Sequence, residues 1–309
     1  MKKNSISILL IILSVNLFAQ ETTSTISFNP ESKPVHSEDV SKLSPLQILE
    51  DSLVFFADSM YFSETSENKI SGSYAFINTL KSVMKTQGSF TYPFTKLMQQ
   101  IVILEAPDKS FKIYNWEIIR GTVERRYYGV MQMANGDFIP LIDASDQIIR
   151  GGSDSIFVGN RWFGCLYYNI IQKEIAGQNV YFLLGWNASN MNSERKIIEP
   201  FGFNSKGQNV FGAPLISYNE KGKYIHANRY ILEYQKNAKV SMNYDKETDQ
   251  IIFDHCESQI GDPAKKYTYI PDGTYDGLRW DGQNWKVFEN IIQITELQNG
   301  SAPMEKAIK

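Results

Sequence analysis

Short apolar or alternating stretches, separated by turn residues, dominate the C-terminal two thirds of the chain. The clearest example is residues 162–186, where two β-rich runs flank a polar break at residues 176–179. Gly177 and Asn179 in this break tolerate the positive φ of a tight turn, so the pattern predicts a β-hairpin. The second run, residues 180–186, has no polar alternation, which indicates a strand that is covered on both faces.

Further strands are predicted by the same signals. We expect them at residues 111–116, 124–133, 138–142, 197–203, 210–216, 224–234, 239–244, 250–256 and 267–270, with a last pair around Trp280 and Trp285. Links of about two to six residues join antiparallel neighbours, because parallel pairs need long crossovers. The predicted fold class is therefore mainly β: an antiparallel meander over residues 106–298, arranged as a sandwich, an open barrel or a propeller-like array.

One hairpin carries a resemblance to propellers. The turn at residues 106–109, followed by the strand at residues 111–116, resembles the hairpins in the blades of TolB-like and WD40-like propellers. It occurs once, and no repeat of about 40 to 50 residues accompanies it. The propeller is therefore only one of the three arrangements considered.

A small helical section is predicted over residues 44–105. Ser44 can cap a helix, Pro45 suits its first position, and Gln47 completes a capping box. One packed face is predicted by apolar residues at spacings of three and four: Leu46, Leu49, Leu53, Phe56 and Met60. A second helix is expected over residues 73–85, and a third, short one from Pro93.

The N-terminus has the pattern of an export signal. Two lysines precede a largely apolar run at residues 6–18, and Ala19 supplies the small residue before a cut at Gln20. The apolar run is shorter than the roughly 20 residues that span a membrane. The residue after the expected cut is not a cysteine, so we do not expect a lipid anchor. We therefore expect a signal peptide at residues 1–19 and a soluble mature protein in the periplasm or outside the cell.

Net charge and composition exclude some classes of binding partner. The formal net charge is −3, and removal of the two N-terminal lysines makes it −5. A mildly acidic chain lacks the excess of positive charge that binds nucleic acid or anionic lipid. The 18 Phe, 17 Tyr and 5 Trp residues allow a sizeable core. Polar composition predicts a disordered leader at residues 20–43 and a flexible tail at residues 299–309.

Two cysteines leave two alternatives open. A bridge between Cys165 and Cys256 would close a loop of about 91 residues and would stabilise the fold by about 4–5 kcal/mol. The alternative is that both are buried free thiols, which behave as small hydrophobic residues. The sequence favours neither.

The candidate catalytic residues are His226, His255 and Asp254. On a regular strand His255 and Cys256 point to opposite faces, so His255 cannot activate Cys256 directly. A structural histidine is the favoured interpretation. Nothing in the pattern brings His226 next to His255, and the three histidines of the chain lack the spacing of a zinc site.

The candidate metal ligands lie near the C-terminus. Asp272, Thr274, Asp276 and Gly277 match the first half of a calcium loop, but Gln283 stands where the bidentate acid belongs. The competing interpretation is that the Asp-Gly pairs form hairpin turns, and we expect no metal. Phosphate-binding glycine loops, dinucleotide fingerprints and the G-x-S-x-G motif are missing from the sequence, so no cofactor is predicted either.

Four segments resemble a group of uncharacterised exported proteins of Bacteroidota: SFTYPF at residues 89–94, FKIYNW at 111–116, LGW at 184–186 and YDG at 275–277. The resemblance covers most of the mature chain. The resemblance implies export and a shared fold, and it implies no activity.

Two functional hypotheses remain at this point. The first is a non-catalytic exported protein that binds a small molecule, a glycan or a protein, or that serves the cell envelope. It is favoured because no catalytic signature is present. The alternative is a secreted hydrolase whose site is assembled in three dimensions from carboxylates and His226 or His255. A deep cleft that holds one of these histidines beside two carboxylates would favour the hydrolase.

Overall fold

A computed structural model of the protein describes residues 43–120, 124–145, 153–188, 190–220 and 222–292. The expected signal peptide, the leader apart from Leu43, and the C-terminal tail lie outside these ranges. The described residues belong to one compact unit. None of its helices is long and apolar enough to cross a membrane.

Two helices pack against each other at the N-terminal end. Helix α1 (Pro45–Phe62) has the expected capping box on Ser44. Helix α2 (Ser66–Lys85) begins seven residues before the predicted start, because Thr65 caps it and its first two turns are polar. The third helix is reduced to a short 3-10 turn, Leu97–Gln99.

The described residues form seventeen strands. They are β1 (Val102–Glu105), β2 (Phe111–Arg120), β3 (Glu124–Met133), β4 (Phe138–Asp143), β5 (Phe157–Val158), β6 (Arg161–Trp162), β7 (Leu166–Ile175), β8 (Gln178–Asn187), β9 (Ser193–Phe203), β10 (Asn209–Phe211), β11 (Ile216–Glu220), β12 (Lys223–Ala227), β13 (Tyr230–Gln235), β14 (Met242–Asp245), β15 (Gln250–Ser258), β16 (Tyr269–Trp280) and β17 (Trp285–Ile292).

The strands form three sheets. Sheet 1 has the order β1-β2-β3-β4-β6, and sheet 2 has the order β5-β10-β9-β8-β7 with β13 also paired to β9. Sheet 3 has the order β12-β11-β17-β16-β15-β14. Almost all pairs are antiparallel, the exceptions among the described strands being β4 with β6 and β11 with β17. The mainly β, antiparallel fold class is therefore confirmed.

The helices and the three sheets stack as four layers. One core joins the helices to sheet 1 and contains Phe76 and Trp116. A second core joins sheets 1 and 2 around Phe111 and Leu183. A third joins sheets 2 and 3 around Trp285. Of the arrangements considered, the layered sandwich matches these cores, and no sheet of the described part closes into a barrel.

The predicted hairpin at the centre of the chain is confirmed as β7 and β8. Tyr181 and Leu183 face the core shared with sheet 1. Phe182 and Leu184 face the core shared with sheet 3. All four side chains are at most 3% exposed, so the strand is covered on both faces as expected.

Two predicted strands are wrong because the chain changes sheets within them. Residues 210–216 divide into β10 of sheet 2 and β11 of sheet 3, and residues 224–234 divide into β12 of sheet 3 and β13 of sheet 2. The first crossing contains Gly212 and Pro214, which interrupt strands, and the second contains the polar pair Asn228 and Arg229, so the sequence carries break signals that the prediction passed over. Strand β13 therefore belongs to the middle sheet rather than to the C-terminal one.

The interpretation of the Asp-Gly pairs in residues 272–277 as hairpin turns is also wrong. These residues lie within the long strand β16. Gly273 adopts a φ of 91°, which an L-residue rarely adopts, and this bends the strand locally. The hairpin turn lies further on, where Asp281 accepts backbone hydrogen bonds from Gln283 and Asn284 at the end of β16.

Both cysteines are free and buried. Cys165 lies in the core between sheets 1 and 2. Cys256 lies in a small separate cluster with Tyr234 and Val240. The thiols thus occupy different cores, and the free-thiol alternative is the one the structure adopts.

Candidate functional site

The structure keeps the two candidate histidines apart. His226 is exposed on the edge strand β12, opposite Ser217 of β11. His255 lies on β15, and three strands separate it from β12. Four interstrand spacings of about 4.8 Å place the two strands about 19 Å apart. His226 and His255 therefore do not share a site.

His255 is instead joined to a candidate metal ligand, Asp276. The His255 Nδ1 and Asp276 Oδ2 atoms are 2.8 Å apart. Strand β15 has a register shift between Asp254 and Cys256, and β16 has another beside Asp276. A bulge redirects side chains. The irregularity also interrupts the alternation of inward and outward side chains along β15. Cys256 is buried against Tyr234 and Val240.

The charge surroundings favour an ion pair at this position. Partial burial lowers the pKa of His255, but the hydrogen bond and charge of Asp276, with the charges of Asp272 and Glu289, raise it more, so the net pKa lies above its ordinary value. A protonated imidazole has no lone pair that accepts a proton. The pair is therefore better suited to a structural role than to general-base catalysis.

We expect the His255–Asp276 pair to stabilise the fold by about 1 kcal/mol at acidic pH, as partly exposed ion pairs do. Because the folded pKa of His255 is raised above 6.5, this stabilisation is fully present below pH 6.5 and is lost as the pH rises through the folded value. Urea titrations of the wild type and of His255→Gln across this range are the measurement. A difference between them that does not change with pH contradicts the ion pair.

The candidate metal ligands have other partners. Asp272 Oδ1 accepts hydrogen bonds from the backbone nitrogen and the hydroxyl of Thr274, both at 2.8 Å. Asp276 is paired with His255. In the described ranges no three His, Cys, Asp or Glu side chains are grouped closely enough to hold a metal ion. The geometry of a calcium loop is not formed here.

A polar cavity lies at the open edge of β2, and no sequence pattern predicts it. Strand β1 pairs with β2 only as far as Val102 opposite Asn115, whereas β3 follows β2 to Arg120. Beyond Asn115 the edge of β2 faces a cavity of about 350 Å³. Its described lining residues are Tyr61, Met98, Gln99, Gln100, Ile101, Val102, Asn115, Trp116, Glu117 and Leu166.

Three consecutive residues of β2 that belong to the lining of this cavity carry buried polar atoms without partners. Asn115 Oδ1, Trp116 Nε1 and Glu117 Oε2 are buried and have no hydrogen-bond partner. The other polar atoms of two of these side chains are held: Asn115 Nδ2 donates to the Cys165 carbonyl at 2.9 Å, and Glu117 Oε1 pairs with Arg125. Buried polar groups in proteins are almost always paired, so three unpaired atoms in consecutive residues require an explanation.

One wall of the cavity is fixed by the buried carboxylate of Glu50. This side chain is 2% exposed. It accepts hydrogen bonds from the Tyr92 hydroxyl at 2.7 Å and from the backbone nitrogens of Lys96 and Leu97 at 2.8 and 3.1 Å. These contacts hold the start of the short 3-10 turn, and residues 98–101 of the wall follow directly from it.

The electrostatics of the cavity centre on Glu117. Burial raises the pKa of Glu117, and the neighbouring Arg125 guanidinium lowers it only in part. Burial also raises the pKa of the Tyr61 phenol, and the charge of Glu117 adds to that rise. Glu117 is the one Asp, Glu, Lys or Arg among the described lining residues. Because Arg125 pairs with it, the cavity presents little uncompensated charge.

A second buried polar network lies away from any cavity described above. Glu199 and Arg229 are both fully buried and form an ion pair between β9 and the start of β13. The Tyr167 hydroxyl donates to the second oxygen of Glu199. The rings of Phe157 and Phe163 lie 5.5 and 5.0 Å from the guanidinium carbon. This network joins elements inside the core and has no access to solvent.

Comparison with known proteins provides no information about the site. No protein-family model, no curated protein and no solved structure matches this chain. The resemblance to exported proteins of Bacteroidota therefore stays a prediction.

Proposed function

We propose that this chain is an exported, non-catalytic protein that binds a small polar ligand in the cavity at the open edge of β2. The observation that supports this is the cavity itself, whose lining includes Asn115, Trp116 and Glu117, each with a buried polar atom that has no hydrogen-bond partner. Leaving a buried donor or acceptor unpaired costs about 1–3 kcal/mol per group. A ligand that satisfied these atoms would remove that cost, and this gives it a source of affinity.

The cavity has the size and support of a binding site. Its volume of about 350 Å³ lies in the range of small-molecule pockets, roughly 300–1,000 Å³. Glu50 holds one wall through three hydrogen bonds, and Arg125 holds the Glu117 side chain. The ligand would meet groups that are already oriented, which lowers the entropic cost of binding.

The hydrolase alternative gains no support from the described residues. His226 and His255 lie about 19 Å apart by strand spacing, and His255 is occupied by Asp276. The cavity contains one carboxylate, Glu117, whereas glycoside cleavage uses a pair. A binding role needs neither a histidine nor a second acid.

Export, the other half of the proposal, follows from the N-terminal pattern. We expect the mature protein to begin at or near Gln20. Intact-mass measurement of protein recovered from the periplasm or the medium is the test. Material that still carries Met1 would contradict the proposed export signal.

Ligand binding is tested by thermal melts of the mature chain against a library of small polar compounds. A compound at about 100 times its Kd should raise the melting temperature by roughly 5–10 °C. Trp116→Phe removes the unpartnered donor, and we expect it to lose most of that rise. Trp285→Phe is the matched control, because Trp285 Nε1 is also buried and unpartnered but lies in the core between sheets 2 and 3. An equal rise in Trp116→Phe and the wild type would place the ligand elsewhere.

A further inference from the structure

A row of large apolar side chains is exposed on the outer face of α1. Ile48, Phe55 and Phe62 are 44%, 68% and 75% exposed. They recur every seven residues, which is almost two full turns, so they lie on one line along the helix. Leu53 and Ala57 of α1 are buried in the core with sheet 1, on the opposite face. Single apolar residues are common on protein surfaces, whereas an aligned row indicates an interaction site.

Two of these side chains are held in place by neighbouring rings. Phe55 meets Phe56 edge-on, with 5.5 Å between the ring centroids, and Phe62 meets Tyr61 in the same way at 6.1 Å. Phe56 and Tyr61 are partly buried against the core between the helices and sheet 1. The exposed rings are therefore restricted before any partner arrives, which lowers the entropic cost of binding.

Aspartates alternate with the apolar residues along this row. Asp51 and Asp58 each follow an apolar member by three residues, so they lie on the same face of the helix. Asp51 contacts Lys96 Nζ at 2.6 Å, whereas Asp58 makes no ion pair within the described ranges. The sequence of α1 contains no Lys or Arg. We call this face the α1 stripe, and its members are Ile48, Asp51, Phe55, Asp58 and Phe62.

We propose that the α1 stripe is a docking surface for a basic amphipathic helix of a partner protein. Such a helix would place an apolar residue against each exposed apolar side chain and Lys or Arg against the aspartates. Apolar residues that recur every seven positions let two helices pack along their length at a small crossing angle. The stripe is about 21 Å long, which allows about four helical turns of contact. None of its members lines the cavity at the open edge of β2.

Charge disfavours the two occupants that this chain could itself supply. A second copy would bring its own aspartates to the stripe, and its α1 has no basic residue to place against Asp58. The leader at residues 20–42 carries four acidic and two basic residues, so it is acidic as well. Like charges that face each other across an interface oppose binding. A basic partner is therefore the occupant that the charges of α1 favour.

The experiment is a titration of the mature chain with two fluorescent helical peptides of about three heptads, followed by anisotropy. Both peptides carry leucine at every seventh position on a background of alanine and glutamine. Three residues after each leucine, the basic peptide has lysine and the acidic peptide has glutamate. We expect the basic peptide to bind about 10-fold more tightly than the acidic one, or better.

Variants of the protein locate the binding. The double variant Phe55→Gln with Phe62→Gln should weaken binding of the basic peptide by about 10-fold or more. Asp58→Asn should weaken it by about 3-fold and make it less sensitive to salt. Ile260→Gln is the matched control, because Ile260 is also an exposed apolar residue but follows β15, and it should leave binding within about 2-fold. Equal binding of the two peptides, or unchanged binding in the double variant, overturns the proposal.

Other occupants of the stripe are detected in the chain alone. The double variant changes exposed positions only, so its melting temperature should stay within about 2 °C of the wild type. A larger fall shows that the chain covers its own stripe: by its leader if sedimentation velocity gives a monomer, and by a second copy if it gives a dimer that the double variant loses. Binding of phosphatidylcholine vesicles that the double variant loses shows that the stripe meets lipid. Each of these three results contradicts the protein partner.

Discussion

Replacing Glu199 by alanine is expected to lower the free energy of unfolding by about 3–5 kcal/mol. Glu199 and Arg229 are fully buried, and Glu199 Oε1 accepts from Arg229 Nε at 2.8 Å. Removal of the carboxylate leaves the guanidinium charged in the core, with the Ser155 carbonyl at 3.3 Å as an oxygen partner.

The matched control is the double variant Glu199→Leu with Arg229→Met, which removes both charges. Apolar replacement of buried ion pairs is often neutral or stabilising by about 1–4 kcal/mol, so the double variant should be clearly more stable than Glu199→Ala. Urea titrations of the wild type and both variants measure this. If the double variant were instead less stable than the single one, the cost would come from lost packing rather than from the loss of the Glu199 carboxylate beside Arg229.

Truncating Leu183 or Leu184 to alanine should each cost about 2–5 kcal/mol, the range for fully buried leucines. Both are 0% exposed, although they point to opposite faces of β8. Leu183 contributes to the core with sheet 1, and Leu184 contributes to the core with sheet 3. A strand that was exposed on one face would show the cost at one of the two positions only.

Val158→Ala serves as the control for these truncations. Val158 lies on the short strand β5 of the same sheet and is 47% exposed. We expect its loss of stability to stay below about 0.5 kcal/mol, as at other surface positions. A silent Leu183→Ala variant would overturn the two-sided burial of β8 and with it the layer order of the sheets.

The parts of the fold that were predicted correctly have local signals. The Ser44 capping box needs only residues within one helical turn, and the hairpin of β7 and β8 needs only its own turn chemistry. The two-sided burial of β8 was also visible, because its residues are apolar without alternation. Each of these signals is complete within about ten residues.

The sheet crossings have a weaker signal. At residues 212–215 and 228–229 the chain leaves one sheet and enters another. Gly212, Pro214 and Asn228 indicate breaks there, but a break does not say which sheet the next strand joins. Which sheet a strand joins is decided by pairing across many tens of residues, and local periodicity does not contain that information.

The candidate site could not be predicted for a related reason. Asn115 and Trp116 end the predicted strand at residues 111–116, and Glu117 follows it. Nothing in the sequence of this segment distinguishes it from ordinary strand. The cavity exists because β1 stops opposite Asn115 while β2 continues. Conversely, the candidate residues His255 and Asp276 were identified separately, and only the paired strands β15 and β16 bring them together.

The enclosure of sheet 2 between sheets 1 and 3 has a consequence for amide exchange. The backbone N–H groups of β8 are bonded to β7 and β9, and both faces of the strand are covered by side-chain layers. Deuterium can reach these amides only when the neighbouring layers separate, so they should exchange through global unfolding. Their exchange rate under native conditions then reports the full stability of the unit. The amides of the edge strands β12 and β14 should exchange earlier, through local opening.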